Sequence, residues 1–354
     1  MHDILITGGC GFVGSSLAIL FKEHYPEVRI TCLDNLKRRG SELNISRLKA
    51  KEIQFIHGDI RNKEDLAAVG DVGLILECSA EPSVLAGYNS SPEYLINTNL
   101  LGTINCLELA RQRKADFIFL SSSRVYPIKT INDLPLQETS TRFEFKDNLN
   151  IQGASSLGIS EQFPIQGVRS LYGATKLASE LFITEYINMY EIKGIINRCG
   201  VLTGPWQFGK VDQGVIVLWV AAHYWQKKLS YIGYGAKGKQ VRDILHVADL
   251  FELLKVQIEN IDKYSGTIFN VGGGREISIS LNELTALCEK YTGNTTQIDS
   301  VKQNRDADIP IYLSDCTKVI NATGWKPSRT PDMIVEEISH WIKRNEQLLV
   351  GVLK

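Results

Sequence analysis

The chain of 354 residues is poor in the features that mark several classes of protein. Cysteine is sparse and scattered: Cys10, Cys32, Cys78, Cys106, Cys199, Cys288 and Cys316 are seven, an odd number, with no C-x-x-C pair among them. That pattern argues against a disulfide framework and a structural zinc site; reduced thiols, a cytoplasmic setting and no bound metal are expected. Several of these cysteines sit in apolar runs, where the residue behaves as a small buried hydrophobe. An excess of either charge is also missing, with 39 basic against 40 acidic residues. Neither a nucleic-acid nor a membrane partner is therefore expected. Long hydrophobic runs are absent. GVIVLWVAAHYW, near 214–225, is too short to cross a bilayer and ends in polar residues. The opening MHDILITGG lacks a basic stretch followed by a long apolar core, so no signal peptide is expected. Internal repeats and low-complexity tracts are missing as well.

What is present is an ordinary globular composition, 44% hydrophobic, in a chain long enough for one large domain with an appendage or for two domains. Short apolar runs alternate with helical patterns. ILIT (4–7), RITCLD (29–34), IQFIHGD (53–59), LILECSA (74–80) and FIFLSSS (117–123) read as strands. FVGSSLAILFKEH (12–24), the short KEDLAAVG and the segment from Pro92 to Arg113 read as helices. This alternation predicts right-handed crossovers and a doubly wound parallel α/β sheet, with ligands bound beyond the carboxyl ends of the strands.

The first such end carries TGGCGFVG, with Gly8, Gly11 and Gly14 spaced G-x-x-G-x-x-G. The glycines permit a tight turn, close approach of the backbone to a pyrophosphate, and close packing of helix on strand. The helix start then offers free N–H groups to the anion. Twenty residues past Gly14 the second strand ends at Asp34. A carboxylate there suits the ribose hydroxyls of NAD and repels a 2′-phosphate, although Lys37, Arg38 and Arg39 follow closely; NAD is the favoured cofactor. Asp59, in HGDIR, suits the adenine amino group or else caps a helix.

The fifth strand ends in SSSRVY (121–126), and SLYGATKLASE (170–180) places Tyr172 one helical turn before Lys176. An isolated Tyr-x-x-x-Lys is weak evidence, because four residues is simply the helical repeat. A free phenol titrates near ~10, and a neighbouring ammonium favours the phenolate needed for a general base. TGGCGFVG with Asp34, SSSRVY and YGATK stand in this order together with NTNLLGT (97–103) and NRCGVLTGPWQFG (197–209). GKQVRDILHVADL (238–250), FNVGGG (269–274) and GWKP (324–327) follow. Taken together they resemble the extended short-chain dehydrogenase/reductase family of nucleotide-sugar epimerases and dehydratases over nearly the whole chain.

The resemblance implies a Rossmann-type domain over 1–197 and a smaller C-terminal α/β substrate domain over 198–354, some of whose segments return to the first. Ser122, Tyr172 and Lys176 would be catalytic. Gly8, Gly11, Phe12, Val13, Gly14, Asp34, Asn35, Asp59, Ile60, Ala80, Asn99, Ser121 and Cys199 would join Tyr172 and Lys176 around NAD. A nucleotide-sugar substrate would meet Ser123, Arg124, Gln207, Phe208, Gln213, Gly214, Tyr231 and Gln240. Arg242 and Arg305 suit its diphosphate, or else form salt bridges; Asp243 is placed to orient Arg242, and Asp308 to orient Arg305 or bind a ribose. His246 reads as structural and Asp249 as the cap of the following helix. Helices near 92–113 and 172–190 pair in this family and imply a homodimer through a four-helix interface.

The family's 4,6-dehydratases carry an Asp-Glu pair where Ser123 and Arg124 stand, so dehydration is disfavoured against epimerisation; a ketoreductase is the other enzyme alternative. A non-catalytic dinucleotide sensor is disfavoured by the retained Ser122, Tyr172 and Lys176. The turn at 34–40, HGDIRNK, the insertion before YGATK and WQFGKVDQG are similar to the branch of the family that epimerises CDP-linked dideoxyhexoses. Three positions depart from the family pattern: Glu77 stands in ECSA where a His is usual, Val201 where a polar residue is usual, and Pro127 follows Val125-Tyr126 where a Gly is usual.

Overall fold

Residues 3–147, 149, 151–209 and 213–354 are described by the computed structural model. Ile4–Thr7 forms β1, Ile30–Asp34 β2, Gln54–His57 β3 and Leu74–Glu77 β4. Asp116–Ser122 is β5, Gly194–Cys199 β6 and Thr267–Val271 β7. They lie in one sheet in the order β7-β6-β5-β4-β1-β2-β3, and the pairings from β3 through to β6 are parallel. β1 and β4 are buried along their whole length, as strands with both faces covered must be. The chain winds outward from β1 through β2 and β3, then returns to β4 on the other side. The crevice at the carboxyl ends of β1 and β4 is therefore the switch point at which such sheets bind ligands.

Three helices frame this end. α1 (Phe12–His24) follows β1 directly, with Gly11 as its N-cap. α2 (Thr103–Arg113) precedes β5, and α3 (Leu171–Tyr190) precedes β6. The helix expected over 92–113 is interrupted: a helical turn at Glu93–Ile96 passes through a π segment, Asn97–Gly102, before α2 begins. Under the sheet, Leu5, Ile75, Phe117, Phe119 and Ile196 form one core with Cys106, Leu107 and Ala110 of α2 and Ile183 of α3.

The contacts divide the chain into two units. The first comprises Met1–Val125, Ser170–Cys199 and Leu250–Phe269; the second comprises Tyr126–Arg169, Gly200–Asp249 and Asn270–Lys354. The division is interleaved: Leu250–Phe269 lies in the first unit, and the insertion before α3 belongs to the second. There the strand Val241–His246 pairs in parallel with Val201–Thr203 and Ile311–Tyr312, and antiparallel with Ser278–Ser280. Helices Val215–Tyr224, Leu281–Thr292 and Pro331–Arg344 pack on one another. The insertion is tied down by Ile159, whose N–H donates to Leu313 O at 2.8 Å, and by Asn270, whose Nδ2 donates to Ile159 O at 2.7 Å. The helix Pro331–Arg344 ends at Asn345 and the chain resumes as the helix Glu346–Leu353. No helix among the described residues is long and apolar enough to cross a membrane, and they hold no cluster of His, Cys, Asp and Glu able to bind a metal.

Candidate active site

The glycine loop has no room for side chains. Gly8 adopts φ +64°, and a Cβ there would lie 2.8 Å from Cys78 O; one on Gly14 would lie 2.3 Å from Gly8 O. Only glycine lets α1 start this close to β1, leaving the first-turn amides of Phe12 and Val13 directed beyond the strand ends. Asp34 braces the loop: its carboxylate accepts from Cys10 N at 3.0 Å and from Leu36 N at 2.8 Å. Burial raises its pKa, while hydrogen bonds from Leu36, Cys10 and Gly11 pull the other way. Its two oxygens hold these backbone N–H groups, and a carboxylate's oxygens have capacity for more, so a ribose diol fits. Lys37, close enough in sequence to meet a 2′-phosphate, instead lies over Tyr94, its Nζ 3.9 Å from the ring centroid. Next to it, Asn35 Nδ2 donates to Asp59 Oδ2 at 2.8 Å, and Arg61 grips Asp59 with two bonds of 3.0 and 2.7 Å. Burial alone would push Asp59 up, but the bonds from Arg61 and Asn35 outweigh it and bring its pKa to about 2. Asp59 does not cap the next helix, whose N-cap is Asn62. Ile60, beside it, is buried.

Beyond β4, Ala80 lies in a loop clamped by Asn99, which accepts from Glu81 N at 2.7 Å and donates to Glu81 O at 3.1 Å. Both ends of the Asn99 amide are thus engaged in holding that loop. At the end of β5 three serines diverge. Ser121 Oγ donates to Glu180 Oε1 at 2.5 Å, and Glu180 in turn receives the Arg198 guanidinium, with Nη2 2.7 Å from Oε2. Ser121 therefore belongs to a buried ion-pair network that joins β5, α3 and β6. Ser122 Oγ accepts from Arg124 N at 3.1 Å, and its hydroxyl proton remains for another acceptor. Ser123 and Arg124 follow in a short turn and are half-buried.

Ser170 starts α3, its hydroxyl accepting from Gly173 N at 3.3 Å. Tyr172 is therefore in the first turn and half-buried, while Lys176, one turn on, is only 2% exposed. Lys176 Nζ donates to Leu120 O at 3.0 Å and lies 4.3 Å from the centroid of the Phe119 ring. The backbone of β5 and the side chain of α3 thus hold the ammonium at the strand ends. Cys199, at the end of β6 and opposite Ser122 in register, closes this side. Glu77, at the end of β4, is fully buried; Thr103 Oγ1 donates to its Oε2 at 3.4 Å. Burial raises its pKa to about 7 against the pull of Lys176 and the Thr103 hydroxyl.

The second unit carries the other polar set. Arg242 Nη2 donates to Asp308 Oδ1 at 2.9 Å and to Ile309 O at 2.8 Å. The expected pairing is thereby corrected: Asp308 orients Arg242, whereas Asp243, the next residue along the strand, points the other way. Asp243 is fully buried and accepts from Ser314 N at 3.2 Å. Arg305 is half-buried in the loop before Asp308. Tyr231 hydrogen-bonds Thr285 Oγ1 at 2.7 Å and stacks on Trp219. Gln240 Nε2 donates to Ile232 O at 2.5 Å. Gln207 donates to Leu202 O at 2.9 Å, and Phe208 is buried near Trp341. Gly214, with φ +74°, starts the helix Val215–Tyr224, and Gln213 precedes it; residues 210–212 of WQFGKVDQG lie outside the described residues. His246 is structural: burial lowers its pKa to about 4, and its Nδ1 meets Ala248 N at 3.1 Å. Asp249 lies inside the helix Val247–Glu259 rather than at its cap, and its carboxylate holds the backbone N–H groups of Ser328 and Arg329 at 3.1 and 3.0 Å.

A glycine turn, a ribose-type carboxylate and a Ser/Tyr/Lys set at one end of a parallel sheet define a dinucleotide-dependent enzyme of the short-chain dehydrogenase type. The model of the NAD dependent epimerase/dehydratase family matches residues 4–272, and the chain belongs to that family. NAD is its cofactor. The chain is 30% identical to CDP-paratose 2-epimerase of Salmonella typhi, over 96% of this chain and 98% of that one. Among solved structures it resembles dTDP-glucose 4,6-dehydratase of Bacillus anthracis in complex with NAD, with TM-score 0.77, 25% identity and 99% of both chains covered. A UDP-glucuronic acid 4-epimerase from Bacillus cereus shares the fold, with TM-score 0.79 and 22% identity over 97% of this chain and 99% of that one.

Proposed function

We propose that the chain epimerises a CDP-linked deoxysugar by transient oxidation of a ring hydroxyl and re-reduction on the opposite face. The observation that carries the reading is the Ser122, Tyr172 and Lys176 set standing next to Ser123 and Arg124, where an acid pair would serve dehydration. The similarity to CDP-paratose 2-epimerase supports the CDP-sugar. NAD, when bound, supplies the hydride acceptor and returns the hydride. Gly8, Gly11 and Gly14 with the amides of Phe12 and Val13 would hold its pyrophosphate, Asp34 its adenosine ribose, and Asp59 and Ile60 the adenine edge. Asn35, Ala80, Asn99, Ser121 and Cys199 shape the walls of that cradle.

Tyr172 takes the proton of the reacting hydroxyl and later returns it. Ser122 donates its free hydroxyl proton to the reacting oxygen. Lys176, held by Leu120 O, stabilises the Tyr172 phenolate and serves the nicotinamide ribose. Arg242, oriented by Asp308, and Arg305 bind the diphosphate; Gln207, Phe208, Gln213, Gly214, Tyr231 and Gln240 supply the surface for base and sugar. A homodimer through helices 92–113 and 172–190 belongs to the same reading. Leu101, Leu181, Phe182, Met189 and Tyr190 are exposed on these segments and supply its apolar face.

The test is a panel of CDP-, UDP- and dTDP-linked sugars followed by NMR. Inversion of one ring carbon in a CDP-deoxyhexose, with the UDP and dTDP sugars unchanged, is expected. Turnover of UDP-glucose with CDP-deoxyhexoses untouched would contradict the CDP reading. Turnover that needs added NAD(P)H would favour the ketoreductase.

A further inference from the structure

The carboxyl of Glu77 is not accounted for by any step above. It leaves the sheet at the end of β4, between its register neighbours Thr7 on β1 and Phe119 on β5. Register neighbours in a parallel sheet present their side chains to the same face, so the three form a row across the switch point. Lys176 stands at the end of that row, its ammonium over the Phe119 ring. Glu77 is wholly buried, and its Oε1 has no hydrogen-bond partner among the described residues; nor has the buried Thr7 Oγ1 beside it. The carboxyl is held by a long bond from Thr103, 3.4 Å from Oε2, and by the backbone N–H of Ser79. Burying a carboxyl with one oxygen unpartnered is costly, and an apolar side chain would satisfy the packing equally well. The charged group acting on it is Lys176 of α3; the thiols that also feel it, Cys78 beside it and Cys106 of α2, are pushed far up by burial and stay neutral.

We propose that Glu77 is a positioning residue for the redox step, a buried acid whose ionisation offsets the Lys176 charge and thereby sets how readily the site accepts a hydride. Neutral Glu77 leaves the ammonium uncompensated, which favours both the Tyr172 phenolate and electron-rich nicotinamide. Ionised Glu77 cancels part of that field. The row Thr7–Glu77–Phe119 with Lys176 above it is the geometric basis, and a group that titrates near neutrality fits it. The inference rests on the assignment of Lys176 to the nicotinamide side.

The test uses the NAD-bound protein and sodium cyanoborohydride as hydride donor, so no sugar is required. Reduction of bound NAD is followed at the nicotinamide absorbance on both sides of neutrality and normalised to free NAD. In the native protein the rate should fall about tenfold as pH rises through neutrality. In E77Q that fall should vanish while NAD content stays the same. Thr103→Val, which removes the bond to the carboxylate and keeps the carboxyl, should move the inflection to higher pH, and it carries the test if E77Q does not fold. Identical profiles in native protein and E77Q, or an inflection unmoved in T103V, would overturn the role of Glu77. A chain that binds no NAD would instead remove the assignment of the cofactor site on which it rests.

Discussion

Tyr172 and Lys176 were indistinguishable from an ordinary helix surface as an isolated pair; the half-exposed phenol and the buried ammonium bound to Leu120 O separate them from one. Tyr172→Phe should lower kcat by about 10²–10⁴-fold and leave NAD content unchanged. Retained turnover in that variant would remove Tyr172 from the base role. Glu77 gives a stability prediction with a definite sign. Its pKa rises from 4.5 to about 7 on folding, so the native state holds a proton that the unfolded chain releases between those values. Folding stability contributed by this group is therefore lost as pH climbs from 4.5 to about 7, by about 3 kcal/mol in all. E77Q should be more stable than the native protein above neutrality, and the gap should close below pH 4.5; denaturant titrations at the two pH values check this. A gap of the same size at both would mean that Glu77 does not change protonation on folding.

At the scale of elements, the strands were legible because parallel, doubly covered strands are continuous apolar runs, and α1 because glycines and a 3.6-residue period mark it. The π segment at Asn97–Gly102 was not legible: its sequence, NTNLLG, fits the same helical period as its flanks, and the extra residue per turn appears only in the backbone. The Glu180–Arg198 pair was also missed. Glu180 was visible only as the last residue of SLYGATKLASE, and no spacing rule connects it to Arg198 on a strand eighteen residues away. Its side chains are 2% and 5% exposed, so Glu180→Gln, which strands the guanidinium, should cost about 3–5 kcal/mol. Thermal or chemical denaturation measures that loss, and a change below about 1 kcal/mol would mean the pair is not holding α3 to β6. Ser121, read as a cofactor contact, was ambiguous for the same reason: in SSS nothing tells which hydroxyl faces the buried acid. On α3, Leu181 and Met189 are 61% and 62% exposed, two turns apart. Replacing both with Glu should convert a dimer to a monomer in light scattering; a native protein that is already monomeric would remove the proposed interface.

For the whole molecule, the family and fold were readable because motifs at the strand ends recur in fixed order. The place of Tyr126–Arg169 in the second unit was not, since that segment lacks the periodicity that would tie it to the strands there. Nor was the partner of Arg242, because which carboxylate it meets depends on strand alternation and on a loop more than sixty residues away. Arg242→Ala should raise KM for the nucleotide sugar more than it lowers kcat, as removal of ground-state phosphate binding does. We propose that one stereocentre inverts through hydride held inside the protein. The direct measurement is turnover of a CDP-deoxysugar in heavy water by protein carrying its co-purified NAD, read by mass spectrometry and NMR. An inverted ring carbon with no deuterium in the product is the predicted result; deuterium on that carbon would place the inversion in enolisation beside a ketone and contradict the account.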